Sequence, residues 1–331
     1  MDHLAIGVVG VGSLGFHHAR ILAGLDAVEM AGIHDLDAER ATRVGGELGV
    51  PVHGDLDGLL DVADALVVAV PTTEHERVAT VALRAGKAVL VEKPLAPSLE
   101  SADRILDAAA KGGTFVQTGH VERFNQAVLA AEPYLDRPLF VESHRMAPFT
   151  PRSTDVAVVL DLMIHDVDLV MSLVGTPLEQ VAASGVRVLT PNVDIANARL
   201  TFTGGAVANL TASRISLERM RKLRLFQPSG YLSLNLADGT GEFLRLRRNL
   251  EEIQEQASAG PTTLELASIV ERIPLQGDGA EPLRRELENF RDAARGLGPP
   301  AVSGQDGREA LALALAIQER IEGHVTHQGP A

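Results

Sequence analysis

Three side chains of the 331-residue sequence have the types and spacing for proton handling at an alcohol or ketone: Lys93, Asp161 and His165. Lys93 ends Val89-Leu90-Val91-Glu92-Lys93-Pro94, an apolar strand that closes on a charged pair and stops at proline. The carboxyl end of a strand is where an open α/β sheet keeps its ligands. Asp161 and His165 are four residues apart in 156–174, a stretch with apolar residues at helical spacing, so they share a helix face. A carboxylate beside an imidazole fixes its tautomer and raises its basicity. Hydride transfer at a carbinol carbon needs one positioned acid/base and one charge against the developing alkoxide, and this trio supplies both. Blander readings stand beside that one. Lys93 pairs with Glu92 at a surface, and His165 is structural or binds a metal with Asp161, Asp166 and Asp168. Sites of that type draw ligands from several elements, and nothing else here supplies a cluster, so no metal is expected.

The elements that must position Lys93 begin at the N-terminus. Leu4–Val9 is a short apolar run followed at once by Gly10-Val11-Gly12-Ser13-Leu14-Gly15, and helical spacing starts at Phe16. Strand, G-x-G-x-x-G and helix in that order form a dinucleotide cradle. The first glycine permits the turn, the second lets the backbone approach a pyrophosphate, and the third lets helix and strand pack closely. The helix N-terminus offers amide donors. A second strand, 28–34, ends at Asp35, 20 residues beyond Gly15. An acid there accepts from the adenosine ribose hydroxyls and repels a 2′-phosphate. Leu36 and Asp37 follow, with no arginine directly after, so NAD is favoured over NADP. Asp35 as a mere helix cap is the bland alternative.

Strands and helices alternate onward: 65–70, ending in Pro71-Thr72-Thr73; a helix after His75; 88–91; a helix 99–111 capped by Ser98; and 114–118. That rhythm means a doubly wound parallel sheet whose strand ends fall on one edge. His75 and His120 follow strand ends on that edge, as site residues or as ordinary helix-start and loop residues. After Gly119 the pattern changes. A helix is predicted over 125–135, a strand over 139–145, a proline-bearing loop over 146–155 and the 156–174 helix. Strands then follow at 180–188, 195–203, 206–215, 222–227, 230–235 and 241–247, joined by short turns that signal an antiparallel sheet. Residues 251–260 read as a mobile loop, 282–294 and 305–322 as helices. Residues 1–122 are expected to form an NAD-binding Rossmann domain and 123–323 a substrate and oligomerisation domain. Helix 305–322 packs back toward the first, and 324–331 is a frayed tail.

Hydrophobic residues make up 45% and aromatics 3%, so the core is aliphatic, as a helix-covered parallel sheet requires. A net charge of −14 argues against nucleic acid and anionic membranes as partners. The absence of cysteine excludes disulfides and thiolate chemistry. With no basic leader and no apolar run of membrane-spanning length, a cytoplasmic protein is expected. From His120 to Arg224 there are 11 Lys+Arg and 11 Asp+Glu, so the whole negative charge lies elsewhere. Such a neutral stretch fits an anionic ligand, or arginines paired with nearby carboxylates.

Gly10-x-Gly12-x-x-Gly15, Asp35, Pro71-Thr72…His75, Glu92-Lys93-Pro94 and Asp161-x-x-x-His165 occur in that order. In this the chain resembles the glucose–fructose oxidoreductase, inositol dehydrogenase and rhizopine catabolism (Gfo/Idh/MocA) family over nearly its whole length. The resemblance implies an N-terminal Rossmann domain and a C-terminal α/β domain with a large open antiparallel sheet, which commonly makes a homodimer or homotetramer contact. It implies Lys93 at the substrate hydroxyl and nicotinamide, Asp161 as substrate-binding aspartate, His165 as acid/base, and a cis Lys93-Pro94 bond. Gly119-His-Val-Glu-Arg-Phe-Asn125, Arg152 and the run Leu160–Asp168 are similar to members that oxidise nucleotide-activated amino sugars at C3, of the UDP-N-acetylglucosamine type. There His120, Arg123, Asn125, Arg145 and Arg152 would meet the substrate, the arginines at its pyrophosphate. An inositol or free-sugar dehydrogenase is the rival within the family, and a non-catalytic NAD-sensing regulator the rival outside it.

Overall fold

A computed structural model describes residues 3–150, 156–246 and 270–325, which fall into two contact units: 3–124 with 281–313, and 125–280 with the chain from 314. Among the described residues no helix is long and apolar enough to cross a membrane.

The first unit is built on five parallel strands, β1 (Leu4–Val9), β2 (Val28–His34), β3 (Ala65–Val68), β4 (Ala88–Glu92) and β5 (Val116–Gly119), in the order β2-β1-β3-β4-β5. Every residue of β3 and β4 is buried, which is why their sequences read as unbroken apolar runs rather than alternations. The helices are α1 (Ser13–Leu22), α2 (Ala38–Leu48), α3 (Leu56–Leu60), α4 (His75–Arg84) and α5 (Leu99–Gly112). Side-chain oxygens start three of them. Asp37 accepts from Arg40 N–H, Asp55 from Gly58 N–H and Ser98 from Ser101 N–H, each satisfying an otherwise orphaned helix donor. At five residues α3 is too short to show a period, so the sequence did not announce it. Strand order reverses between β1 and β3, the switch point at which doubly wound sheets hold ligands.

Helix α8 (Pro282–Ala294) follows the whole C-terminal half in sequence yet packs with the first unit. Leu287 and Phe290 join Ile6, Val8, Leu22 and Leu90 in one core, and Phe290 meets Phe115 edge-on at 6.1 Å. Nearby, Thr118 N–H donates to Val302 O at 3.1 Å, adding a short bridge beside β5.

The second unit holds α6 (Gln126–Ala131), β6 (Phe140–Met146), α7 (Ile164–Val174), β7 (Leu178–Val186), β8 (Ile195–Phe202), β9 (Val207–Ser213), β10 (Met220–Gln227), β11 (Gly230–Asn235), β12 (Thr240–Leu246) and β13 (Val270–Gln276). Its eight strands run β13-β12-β11-β10-β6-β9-β8-β7. All neighbours are antiparallel except β6 and β9, which are parallel. The chain leaves β6 into α7 instead of a hairpin, so β6 takes a central place that consecutive hairpins would not give it. One face is apolar: Ala198, Leu200, Leu210, Ala212, Leu223 and Leu225 are fully buried, and α7, whose Val167 and Val170 are fully buried too, packs against β6 and β9. The other face carries polar ladders such as Asn197–Thr211 and Arg199–Asn209. Strand β13 was absent from the sequence reading because Glu271, Arg272 and Pro274 disguise it. As an edge strand it tolerates proline, and its charges pair across to Arg245 and Glu242 of β12.

The last helix, α9 (Gly304–Val325), belongs to the first unit through Leu313 and to the second from Ala314. The loop expected over 251–260 lies outside the described residues, as does Arg152.

Candidate active site

The glycine-rich turn has the geometry that its sequence requires. Gly10 sits at φ +84°, and a Cβ there would come within 2.8 Å of Ala69 O. A Cβ at Gly15 would lie 1.8 Å from Gly10 O, so only glycine lets α1 approach the turn. At Gly12 nothing stands within 4 Å, and a side chain would project into open space. Gly12 is also the N-cap of α1 and supplies no side-chain acceptor to the helix start. A cavity of about 730 Å³ opens there at the switch point. Gly10, Gly12, Ser13, Leu14, Asp35 and Pro71 line it. These residues fit a nicotinamide dinucleotide: a backbone cradle at a helix start for the diphosphate, and a carboxylate at the end of β2 for a ribose. Gly15, Thr72, His75, Glu92 and Lys93 do not line this cavity.

The sequence reading missed Leu36, Leu56, Arg40 and Arg77 in the lining. Arg40 matters most. It lies five residues past Asp35, in the first turn of α2, and its Nη1 sits 3.2 Å from both Asp35 oxygens. Its other arm is 3.0 Å from Asp37. Asp35 also accepts from Val11 N–H at 2.8 Å and Asp37 N–H at 2.9 Å, which ties the end of β2 to the glycine turn. The Arg40 backbone N–H and then its guanidinium hold the Asp37 carboxyl below its ordinary range. The spacing from Asp35 to Arg40 was the available signal. Leu36 and Asp37, the two residues directly after Asp35, carry no such sign.

Lys93 is half-buried after β4, and the Lys93-Pro94 bond is cis. Two buried histidines bracket this dipeptide. His75 lies 3.0 Å by Nδ1 from Pro94 O and 3.0 Å by Nε2 from Val70 O. Burial is the main force on its ring and pushes its pKa down. A neutral ring carries one N–H, so it donates to one carbonyl at a time while joining the loops after β3 and β4. On the other side Glu92 Oε2 accepts the Lys93 backbone N–H at 3.1 Å, and Glu92 Oε1 accepts from His18 Nε2 at 2.6 Å. Burial lifts the Glu92 carboxyl. The His18 hydrogen bond and charge, with the Lys93 ammonium, outweigh it and leave Glu92 below its ordinary value.

In the second unit Asp161 and His165 stand on consecutive turns of different kinds. Asp161 lies in a π turn, Val159–Met163, and His165 in the first turn of α7. A single helix was expected over 156–174. An added residue per turn leaves no mark in an apolar pattern, although such turns recur at functional sites. Both side chains are half-buried. Arg214, at the end of β9 and itself buried, approaches the Asp161 carboxylate to 3.8 Å while donating to Val156 O. No sequence pattern singled out Arg214, since β9 and the π turn meet only in the fold.

Two residues offered as substrate contacts are occupied structurally. Arg145 is 2% exposed and grips Asp166 through Nε at 2.7 Å and Nη2 at 3.1 Å, a bidentate pair between β6 and α7. Asn125 caps α6, accepting from Ala127 N–H, and its amide donates to Leu236 O at 2.8 Å. His120 is fully buried and Arg123 half-buried in the short turn after β5. Among the described residues the side chains that cluster closely enough to hold a metal ion are His18, Glu92 and Glu286 of the first unit.

Residues 4–120 match a family model described as an oxidoreductase family with an NAD-binding Rossmann fold, and residues 131–232 match the GFO/IDH/MocA C-terminal domain. The UDP-N-acetylglucosamine 3-dehydrogenase of Acidithiobacillus ferrooxidans is 34% identical over 323 residues, 97% of this chain and 98% of that protein. A solved structure of that organism's UDP-N-acetylglucosamine 3-dehydrogenase aligns with a TM-score of 0.88 at 34% identity, covering 98% of this chain and 99% of the other. The myo-inositol 2-dehydrogenase of Thermotoga maritima is 26% identical over 338 residues, 96% of each chain. With both halves matched, and with the glycine cradle, Glu92-Lys93-Pro94 and Asp161…His165 in place, the chain belongs to the Gfo/Idh/MocA family of oxidoreductases, with an NAD-binding Rossmann fold.

Proposed function

We propose that the protein is an NAD-dependent dehydrogenase that oxidises a nucleotide-activated amino sugar, of the UDP-N-acetylglucosamine type, at C3. The observation that carries this reading is the near full-length likeness, in sequence and fold, to a UDP-N-acetylglucosamine 3-dehydrogenase. Bound NAD supplies the hydride acceptor. Gly10, Gly12, Ser13 and Leu14 hold its diphosphate, Asp35 its adenosine ribose, and Pro71 flanks it. Lys93 steadies the substrate oxygen as negative charge develops there. His165 takes the hydroxyl proton, with Asp161 setting its tautomer. Because Arg145 is committed to Asp166, the substrate diphosphate falls to Arg123 and Arg152, and His120 serves as a further substrate contact. The protein acts in the cytoplasm as a homodimer or homotetramer through its eight-stranded sheet. A row of Phe140, Phe226 and Tyr231, with Phe226 40% exposed, offers apolar contact there.

Purified protein is expected to reduce NAD on UDP-N-acetylglucosamine, read as absorbance of NADH, and to leave myo-inositol nearly untouched. Comparable or faster reduction on myo-inositol would favour the inositol reading that the Thermotoga relative supports.

The choice of NAD over NADP rests on two carboxylates, Asp35 and Asp37, facing a single guanidinium. Asp35→Asn removes a charged acceptor and loosens Arg40 for a 2′-phosphate. The kcat/KM ratio of NAD to NADP is expected to fall by about 10- to 100-fold, the worth of one hydrogen bond to a charged group. An unchanged ratio would contradict the assignment.

A further inference from the structure

His18 is fully buried in the middle of α1, the helix whose first turn forms the dinucleotide cradle. Neither the cradle nor the proton-handling trio uses it. Its Nε2 lies 2.6 Å from Glu92 Oε1, and Glu92 Oε2 accepts the Lys93 backbone N–H at 3.1 Å. A carboxylate only accepts, so the proton of the His18–Glu92 bond resides on Nε2. Gly119 of β5 leaves the room in which Glu92 lies, since a Cβ there would be 3.2 Å from Oε2. Glu286 of α8 completes a buried group whose ligating atoms all lie within 4.8 Å of one another. The direct 2.6 Å contact between His18 Nε2 and Glu92 Oε1 makes a mechanical link between α1 and β4.

We propose that His18 is a positioning residue for Lys93: through Glu92 it anchors the Lys93 backbone to α1, so that the helix cradling the cofactor and the lysine serving the substrate oxygen keep a fixed spacing. This rests on the reading of Lys93 as a catalytic residue. A carboxylate has two oxygens, and here each has one task, one toward α1 and one toward Lys93. Without the His18 donor, Glu92 is a buried carboxylate lacking its shortest bond. It turns or takes up a proton, and the Lys93 N–H loses a fixed acceptor. A displacement of about 1 Å in a reacting group costs on the order of 10²-fold in rate.

The test compares His18→Leu, which removes the donor, with His18→Gln, which keeps an N–H near the Nε2 position, and runs Lys93→Met beside them. With NAD and UDP-N-acetylglucosamine, His18→Leu is expected to lose about 10- to 100-fold in kcat while KM for NAD stays near wild type, and His18→Gln to regain most of it. In the ligand-free protein, hydrogen exchange at the Lys93 amide is expected to quicken about tenfold in His18→Leu and to return in His18→Gln. Exchange needs no substrate, so the link stays testable whatever the protein turns over. If the leucine variant does not fold, the glutamine variant with near-native exchange and kcat supports the link, and one that fails in both overturns it. Wild-type kcat and exchange in His18→Leu, with Lys93→Met inactive, overturn this inference alone. An active Lys93→Met overturns the reading beneath it.

Discussion

Lys93→Met is expected to lower kcat by about 10²- to 10⁴-fold, the range for losing a positioned proton-handling group or a donor to a developing oxyanion. Affinity for NAD, read by fluorescence titration, should stay close to wild type. The cavity at the switch point is lined by Gly10, Asp35, Pro71 and their neighbours, and Lys93 is not among them. The split between chemistry and binding is the informative part. A variant that lost NAD affinity and kcat together would make Lys93 a cofactor-binding residue, and one that turned over normally would remove it from the reaction. A non-catalytic sensor of NAD would keep partner binding in the variant and show no turnover to lose.

The second large effect concerns stability. Asp166→Ala leaves the Arg145 guanidinium buried with its bidentate partner gone. Unfolding free energy is expected to fall by about 3–5 kcal/mol, the cost of uncovering a buried charge. Denaturant titration of Arg145→Met and of the double variant Arg145→Met/Asp166→Leu completes the cycle. The double variant should recover most of the loss, because an apolar pair of similar volume is often as stable as a buried ion pair. The same cycle bears on function. Asp166 follows His165 directly, so the pair fixes the first turn of α7 to β6. If Arg145 instead contacted the substrate, Arg145→Met would raise KM for the sugar while leaving stability nearly intact.

What the sequence disclosed follows from how local each signal is. Gly10, Gly12 and Gly15 are dictated by backbone clashes within a few residues, and Asp35 by the end of the next strand. The cradle was therefore legible without a fold. The doubly wound sheet was legible because β3 and β4, covered on both faces, must be continuous apolar runs. The antiparallel sheet showed through the short turns that join its consecutive strands. Features that depend on distant packing stayed hidden. Phe290 of α8 packs in the first unit although the whole second sheet intervenes in sequence. The π turn under Asp161 keeps the same apolar pattern as an α-helix, and β13 hides behind the charges and proline of an edge strand. Arginine roles were the least readable. Arg145 and Arg40 look alike in a string of letters, yet one is buried in an ion pair in the core and the other faces two carboxylates at the rim of the cofactor cavity. Only their neighbours separate them.

Hydride passes, in this reading, from C3 of a nucleotide-linked amino sugar to NAD. The most direct test is UDP-N-acetylglucosamine carrying deuterium at C3, incubated with NAD and the purified protein, with the nicotinamide examined by NMR. Deuterium is expected at nicotinamide C4 on one face, together with a 3-keto sugar and a slowed rate. Reduced cofactor without deuterium, from this sugar or only from a polyol, would contradict the account.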